Sequence, residues 1–240
     1  MAGGTLYMIP VELGEVEKER HTPPFNLSII DRLDAFVVEN ARTTRQYLRK
    51  LFPEKELSAL TILEADKHRG YSYPREELLD ILRSGRDAGF MSEAGCPGVA
   101  DPGAGVVEDC HKEGFRVVPL VGPSSILLGL MASGFSGQSF RFLGYLPFDK
   151  VQRQKSLREI ALRVERFGET QIFIEAPYRN DRLLAEICNL LPPSLSLCLC
   201  AALTTPEESV SRHTVTEWQE ILTTRKPSYH KVPAIFLIGK

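Results

Sequence analysis

The stretch Ser92-Glu93-Ala94-Gly95-Cys96-Pro97-Gly98-Val99-Ala100-Asp101-Pro102-Gly103 decides how this chain is read. Three glycines and two prolines fall within twelve residues, between a short apolar run (Gly89–Ser92) and a helical pattern that starts at Val106. Glycine lets a backbone approach a ligand closely, and proline fixes the shape of a loop. In an open parallel sheet, ligands sit outside the C-terminal ends of the strands. The stretch is therefore a candidate binding loop; taken alone, it reads equally well as a tight turn between elements. Gly103-Ala104-Gly105 opens a partial GxGxx pattern, but the third glycine and an immediately preceding strand are missing, so no dinucleotide fingerprint is read there.

Outward from this loop the same alternation repeats. Before it come apolar runs at Thr5–Ile9, Ala35–Val38 and Leu60–Leu63, each reading as a short strand. Between them, Arg42–Phe52 places Tyr47, Leu48 and Leu51 at helical spacing and is stopped by Pro53. Pro74–Arg83 sets Leu78, Leu79 and Leu82 on one face, with Pro74 suited to a helix start. After the loop come a helix, Val106–Glu113, and a Val-rich strand, Phe115–Leu120. Strand and helix in alternation predict a mostly parallel sheet with both faces covered. Gly14–Pro24 is polar, charged and Pro-containing, and reads as a mobile loop.

Beyond Gly122 the pattern changes. Helices are read at Pro123–Ala132, Gln152–Phe167, Arg179–Leu190 and Glu217–Thr223. Strands are read at Phe140–Tyr145, Thr170–Glu175, Leu195–Leu203, Ser209–Val215 and Ala234–Ile238. Several of these strands follow one another without a long crossover, so this sheet is expected to be mixed. The fold class is α/β in two domains, 1–119 and 120–240, with the boundary near Pro119–Gly122. A length of 240 residues suits either one large domain or two, each long enough to bury a core.

Composition narrows the function. The net charge is −2, so no global basic field points to nucleic acid, and any nucleic-acid contact would need a local basic patch. Five cysteines, at 96, 110, 188, 198 and 200, form no CxxC pair and no disulfide framework. Cys96 invites a nucleophile reading, but no His/Asn pattern supports it. His21, His68, His111, His213 and His230 are scattered, so no metal site is read. The first fifteen residues lack a basic n-region and an apolar h-region, and no apolar run is long enough to span a bilayer. A cytoplasmic protein with no membrane partner is expected. Helix Arg153–Arg166 mixes five basic residues with Glu159 and Glu165, which reads as a solvated face or as a phosphate contact. Pro119-Leu120-Val121-Gly122-Pro123-Ser124-Ser125 lies between a strand and a helix, and its two serines stand where free helix N–H groups meet a ligand or a simple cap.

Together these residues resemble the tetrapyrrole methylase superfamily, the class III S-adenosylmethionine methyltransferases. Within it they are most similar to the family that 2′-O-methylates a cytidine ribose of small-subunit ribosomal RNA. The resemblance rests on Gly4-Thr5-Leu6-Tyr7 and on Val38-Glu39-Asn40-Ala41-Arg42, against the family's A-E-D-T-R. Ser92–Gly103 stands against S-D-A-G-T-P-x-I-S-D-P-G, and Val117–Ser125 against VVPLPGPSA. Ala132-Ser133-Gly134, Phe142–Pro147 (against F-x-G-F-L-P), Glu175–Arg179 (against E-S-P-H-R) and the closing strand Ile235–Gly239 complete it.

The resemblance implies S-adenosylmethionine in a cleft between two α/β domains, and a homodimer. It gives the cofactor contacts to Leu13, Ala94, Gly95, Cys96, Val99, Ser124, Ser125, Glu175 and Leu203. Glu39 and Asp101 are candidate bases for the proton lost by an attacking hydroxyl, and Arg42 and Arg179 candidate phosphate holders. For all four the competing reading is an ion pair that pins a loop. The expected partner is ribosomal RNA or the small ribosomal subunit. Alternatives are a small or tetrapyrrole-like acceptor, or a cofactor-binding module without catalysis. Departures cluster on the acceptor side. Val11–Glu15 replaces T-P-I-G-N, Asn40 replaces Asp and Tyr178 replaces His, while Ala201–Thr205 replaces R-E-L-T-K. The RNA-acting family continues past the final strand, so an end at Lys240 leaves no appended substrate domain in this reading.

Overall fold

The computed structural model describes residues 3–65 and 72–240; His68 lies outside them. Contacts divide the chain into Met1–Ser124 and Ser125–Lys240, a division a few residues beyond Pro119.

The first unit is built on five strands: β1 (Thr5–Ile9), β2 (Ala35–Val38), β3 (Thr61–Glu64), β4 (Ala88–Met91) and β5 (Arg116–Pro119). They lie in the order β3-β2-β4-β1-β5, and every pairing is parallel. Four helices connect or follow them: α1 (Pro24–Arg32), α2 (Ala41–Leu51), α3 (Arg75–Arg83) and α4 (Ala104–Lys112). β1 and β2 are buried along nearly their whole length, as strands covered on both faces must be.

The alternation of side chains along each strand sorts the core into two layers. Tyr7, Ile9, Phe36, Val38 and Met91 pack with Ile29 and Ile30 of α1 and Tyr47, Leu48 and Leu51 of α2. Leu6, Met8, Val37 and Phe90 pack with Leu78, Ile81 and Leu82 of α3 and Val106 and Cys110 of α4. Right-handed crossovers dictate this division. The connections from β1 and β2 run toward the β3 edge, and those from β3 and β4 run toward β5, so the two pairs of helices take opposite faces. β4 and β1 are neighbours whose following loops leave in opposite directions. That is a topological switch point, where a crevice opens at the C-terminal ends of the strands.

The second unit holds a mixed sheet in the order β6-β7-β10-β8-β9. Its strands are β6 (Phe140–Tyr145), β7 (Thr170–Ile174), β8 (Ser196–Ala201), β9 (Ser209–Thr214) and β10 (Ala234–Gly239). β6 and β7 run parallel, and the other pairings are antiparallel. Its helices are α5 (Ser125–Ser133), α6 (Lys150–Phe167), α7 (Asn180–Leu190) and α8 (Val215–Thr224). One cluster joins Leu157, Ile160 and Val164 of α6 and Leu183, Leu184 and Ile187 of α7 to Trp218 of α8 and to the sheet. The Trp218 indole N–H donates to Leu197 O at 2.9 Å, so its burial leaves no unpaired donor.

Within Gly14–Pro24, Val16, His21 and Thr22 are buried and Lys18–Arg20 forms a short 3-10 turn. One local expectation is corrected. Arg153 does not sit on a solvated face. It is 5% exposed, and its guanidinium donates to Glu186 Oε2 at 2.9 Å and to the carbonyls of Pro147 and Phe148.

Candidate active site

The loop after β4 is tied to the end of β1 by a reciprocal pair of backbone bonds. Val11 N donates to Gly95 O at 2.9 Å, and Gly95 N to Val11 O at 3.0 Å. These bonds span the switch point. Gly95 has φ +71°, which favours glycine, and a Cβ placed there would stand 3.3 Å from the Leu13 side chain and 3.7 Å from Pro123 O. The Cys96 thiol lies 3.3 Å from Pro123 O, which draws the Pro119–Ser124 stretch against the same loop. Burial pushes the Cys96 thiol above its usual pKa, which makes it a poor thiolate nucleophile. Leu13, Ala94, Gly95, Cys96 and Ser124 thus belong to one neighbourhood of the first unit, with Val99 farther along the loop and 48% exposed. Ala100, one residue on, has φ +61°, a strained value for a residue with a Cβ. No sequence signal marks that position.

The two candidate carboxylates differ in setting. Glu39, at the end of β2, is 6% exposed, and its Oε1 accepts from Glu93 N at 3.1 Å. It therefore ties β2 to the binding loop. Asp101 is exposed. Asn40 accepts from the backbone N–H groups of Arg42 and Thr43 and caps α2. Asn and Asp cap helices equally well, so this departure from A-E-D-T-R keeps the local structure. Arg42 stands exposed in the first turn of α2.

A cavity of about 580 Å³ opens beside the loop, between the ends of β1 and β4 and helix α2. Glu12, Tyr47, Lys50, Ser92 and Glu93 are among its lining residues. Glu12 anchors its wall: its Oε2 lies 2.8 Å from Lys50 Nζ and 3.1 Å from Nε2 of buried His21, the latter close but not aligned as a hydrogen bond. Burial lowers the pKa of His21, and burial likewise raises that of Tyr47 to about 12. This cluster was missed from sequence because its members are far apart in the chain.

Ser125, Glu175, Arg179 and Leu203 belong to the second unit. Ser125 opens α5. The Glu175 carboxylate, 2% exposed, is bound by the Arg179 guanidinium and accepts from Ala176 N at 2.7 Å. Leu203 sits between Ala202 (φ +49°) and Thr204 (φ +74°), a second strained turn. Among the described residues, no group of three or more His, Cys, Asp and Glu side chains is placed to hold a metal ion. Among them also, no helix is long and apolar enough to cross a membrane.

Solved structures share this fold. A methyltransferase, CobJ, matches with a TM-score of 0.61 at 17% identity, covering 100% of this chain and 95% of that one. The uroporphyrin-III-C-methyltransferase from Thermus thermophilus matches with a TM-score of 0.54 at 17% identity, covering 99% and 92%. The fold is that of the tetrapyrrole methylases. No family model matches the chain. Curated relatives named ribosomal RNA small subunit methyltransferase I do match. The Vibrio cholerae protein is 31% identical over 85% of this chain and 67% of its own length. Those of Halalkalibacterium halodurans and Bacillus subtilis are each 30% identical over 89% of this chain, and over 69% and 68% of their own lengths. The chain belongs to the ribosomal RNA small subunit methyltransferase I family.

Proposed function

We propose that the protein transfers a methyl group from S-adenosylmethionine to small-subunit ribosomal RNA, at the ribose 2′-oxygen of a cytidine. The observation that carries this reading is the glycine-rich loop tied across the β4–β1 switch point by the Val11–Gly95 backbone bonds, in a chain whose relatives are named ribosomal RNA small subunit methyltransferase I. A sulfonium cofactor needs backbone polar groups and apolar walls, and Leu13, Ala94, Gly95, Cys96 and Val99 supply them. Gly95, at φ +71° and with Leu13 3.3 Å from where a Cβ would stand, leaves the backbone of this loop without a side chain where this reading brings the cofactor close. The same reading gives Ser124, Ser125, Glu175 and Leu203 to the cofactor.

The cofactor, when bound, supplies an activated methyl group, so the protein's task is to bind, orient and exclude water. The attacking hydroxyl also loses a proton. Asp101, exposed on the loop, is the carboxylate assigned to receive it, while buried Glu39 holds the loop that carries Asp101. Arg42, exposed at the start of α2, is assigned to an RNA phosphate. Arg179 has its guanidinium on Glu175, so its first role is to position that segment. The reading also takes the protein to be a cytoplasmic homodimer.

A tetrapyrrole-like acceptor is the second reading, favoured by the fold of the solved neighbours. Calorimetry with S-adenosylmethionine tests the shared premise: a saturable heat is expected, and none at millimolar cofactor would contradict both readings. Labelled-methyl transfer to unmethylated small subunits, set against free tetrapyrroles, then separates them.

A further inference from the structure

The second unit carries an exposed aromatic and cationic cluster in which Phe148, Tyr178, Lys150 and Arg182 have no part in the proposed cofactor contacts. It lies where the parallel strands β6 and β7 end and their following segments meet. Phe148, just before α6, is 77% exposed, and Tyr178, just before α7, is 61% exposed. The Arg179 guanidinium carbon lies 4.6 Å from the centre of the Phe148 ring and 5.9 Å from that of Tyr178. Arg179 is fixed from behind by buried Glu175, so it holds both rings in place. A cavity of about 290 Å³ opens here, with Phe148, Lys150, Arg179 and Arg182 among its lining residues.

The charges of this cluster are not balanced locally. Of the acids lining the cavity, Asp149 is spent capping α6 through Gln152 N at 2.9 Å, and Glu175 is spent on Arg179. Arg153 is matched by Glu186. Lys150 and Arg182 are exposed and make no ion pair among the described residues. The wider charge follows the same sense. Residues 125–240 hold fourteen Lys and Arg against eleven Asp and Glu, a net +3, whereas residues 1–124 hold fifteen against twenty, a net −5.

Exposed ring faces beside unpaired cations match the chemistry of single-stranded nucleic acid: bases stack on aromatic side chains while cations follow the phosphates. A duplex offers neither unstacked bases nor rings room to enter. A tetrapyrrole would match the rings and cations in part, but it has no repeating phosphate. We infer that Phe148, Tyr178, Lys150 and Arg182 form a docking surface for a single-stranded segment of RNA, with unstacked bases on the two rings and phosphates on the two cations. This inference rests on the rRNA methyltransferase reading and assigns part of that substrate's grip to the second unit.

The test uses the full chain and a fluorescein-labelled single-stranded RNA dodecamer, read by anisotropy across a salt series. Phe148→Ala is expected to weaken binding about tenfold, in the range of one lost base stack. Phe148→Trp is expected to retain affinity, because the indole keeps a ring face on which a base can stack. The double variant Lys150→Ala/Arg182→Ala is expected to flatten the slope of log affinity against log salt by about 1.4, at about 0.7 per lost phosphate contact on a single strand. Thermal unfolding and S-adenosylmethionine calorimetry should be unchanged in all three variants. Equal RNA affinity and salt slope in wild type and variants would overturn the inference while leaving methyl transfer intact. A shift of oligomeric state in sedimentation with unchanged RNA affinity would overturn it too, giving the patch to a second copy of the chain. Failure of the wild type to methylate small subunits would instead fall on the rRNA reading itself.

Discussion

Arg179→Ala separates a structural role for this guanidinium from a purely phosphate-holding one. In the wild type Glu175 is 2% exposed at its side chain, and Arg179 is 16% exposed. Removing the arginine leaves a carboxylate out of water with only the Ala176 N–H and whatever solvent can reach it. Breaking one side of a buried pair in this way costs about 3–5 kcal/mol. Arg179 also loses its contact with Phe148, but that ring is 77% exposed, so its share is small. For a chain of this size each kcal/mol shifts Tm by roughly 2–4 °C, so a fall of roughly 6–20 °C is expected. Differential scanning calorimetry of the full chain reads it. The double variant Glu175→Gln/Arg179→Met, which removes both charges, should recover most of the loss, because a neutral pair carries no stranded ion. A fall of under 2 °C in Arg179→Ala, with RNA affinity sharply reduced, would refute the reasoning and return Arg179 to the phosphate.

Three further outcomes follow from the same geometry. Gly95→Trp should abolish S-adenosylmethionine binding by calorimetry while the circular dichroism spectrum stays that of a folded chain; retained affinity would place the cofactor elsewhere. Glu39→Gln keeps an oxygen to accept from Glu93 N and should leave methyl transfer within a few-fold of wild type, whereas Asp101→Asn should lower it at least a hundredfold; the reverse order would make Glu39 the base. His21 has a pKa lowered by burial, so the unfolded chain binds its proton more readily than the native one. Its contribution is complete above the ordinary value of 6.5 and is lost as pH falls from there through the lowered native pKa. The urea midpoint should drop over that window in the wild type and drop less in His21→Gln.

The sequence readings succeeded where a local signal exists. Phe140–Tyr145 is found as a strand with the same bounds that its apolar pattern predicts. The Gly- and Pro-rich loop after β4 announces itself because few other residues reach φ +71° at Gly95 or +78° at Gly98 without strain. Helix α1 was not read, because Pro23 and Pro24 look like a loop, although Pro24 at the first helical position is a helix start. Helix α8 begins two residues before the predicted Glu217, since Thr214 and Glu217 form a capping box that the apolar pattern does not include. The long-range charged pairs are the least legible. Arg153 finds Glu186 across thirty-three positions, and Glu12 finds Lys50 across thirty-eight. Such pairings are set by tertiary packing, and mixed charge on a helix gives no hint of which arginine turns inward.

Incubating the protein with labelled S-adenosylmethionine and small ribosomal subunits from a strain that lacks it, then digesting the RNA to nucleosides, tests the central claim most directly. The account predicts one labelled species, 2′-O-methylcytidine, recovered from the small-subunit RNA. No transfer by a chain that binds the cofactor, or label recovered only from an added tetrapyrrole, would contradict it.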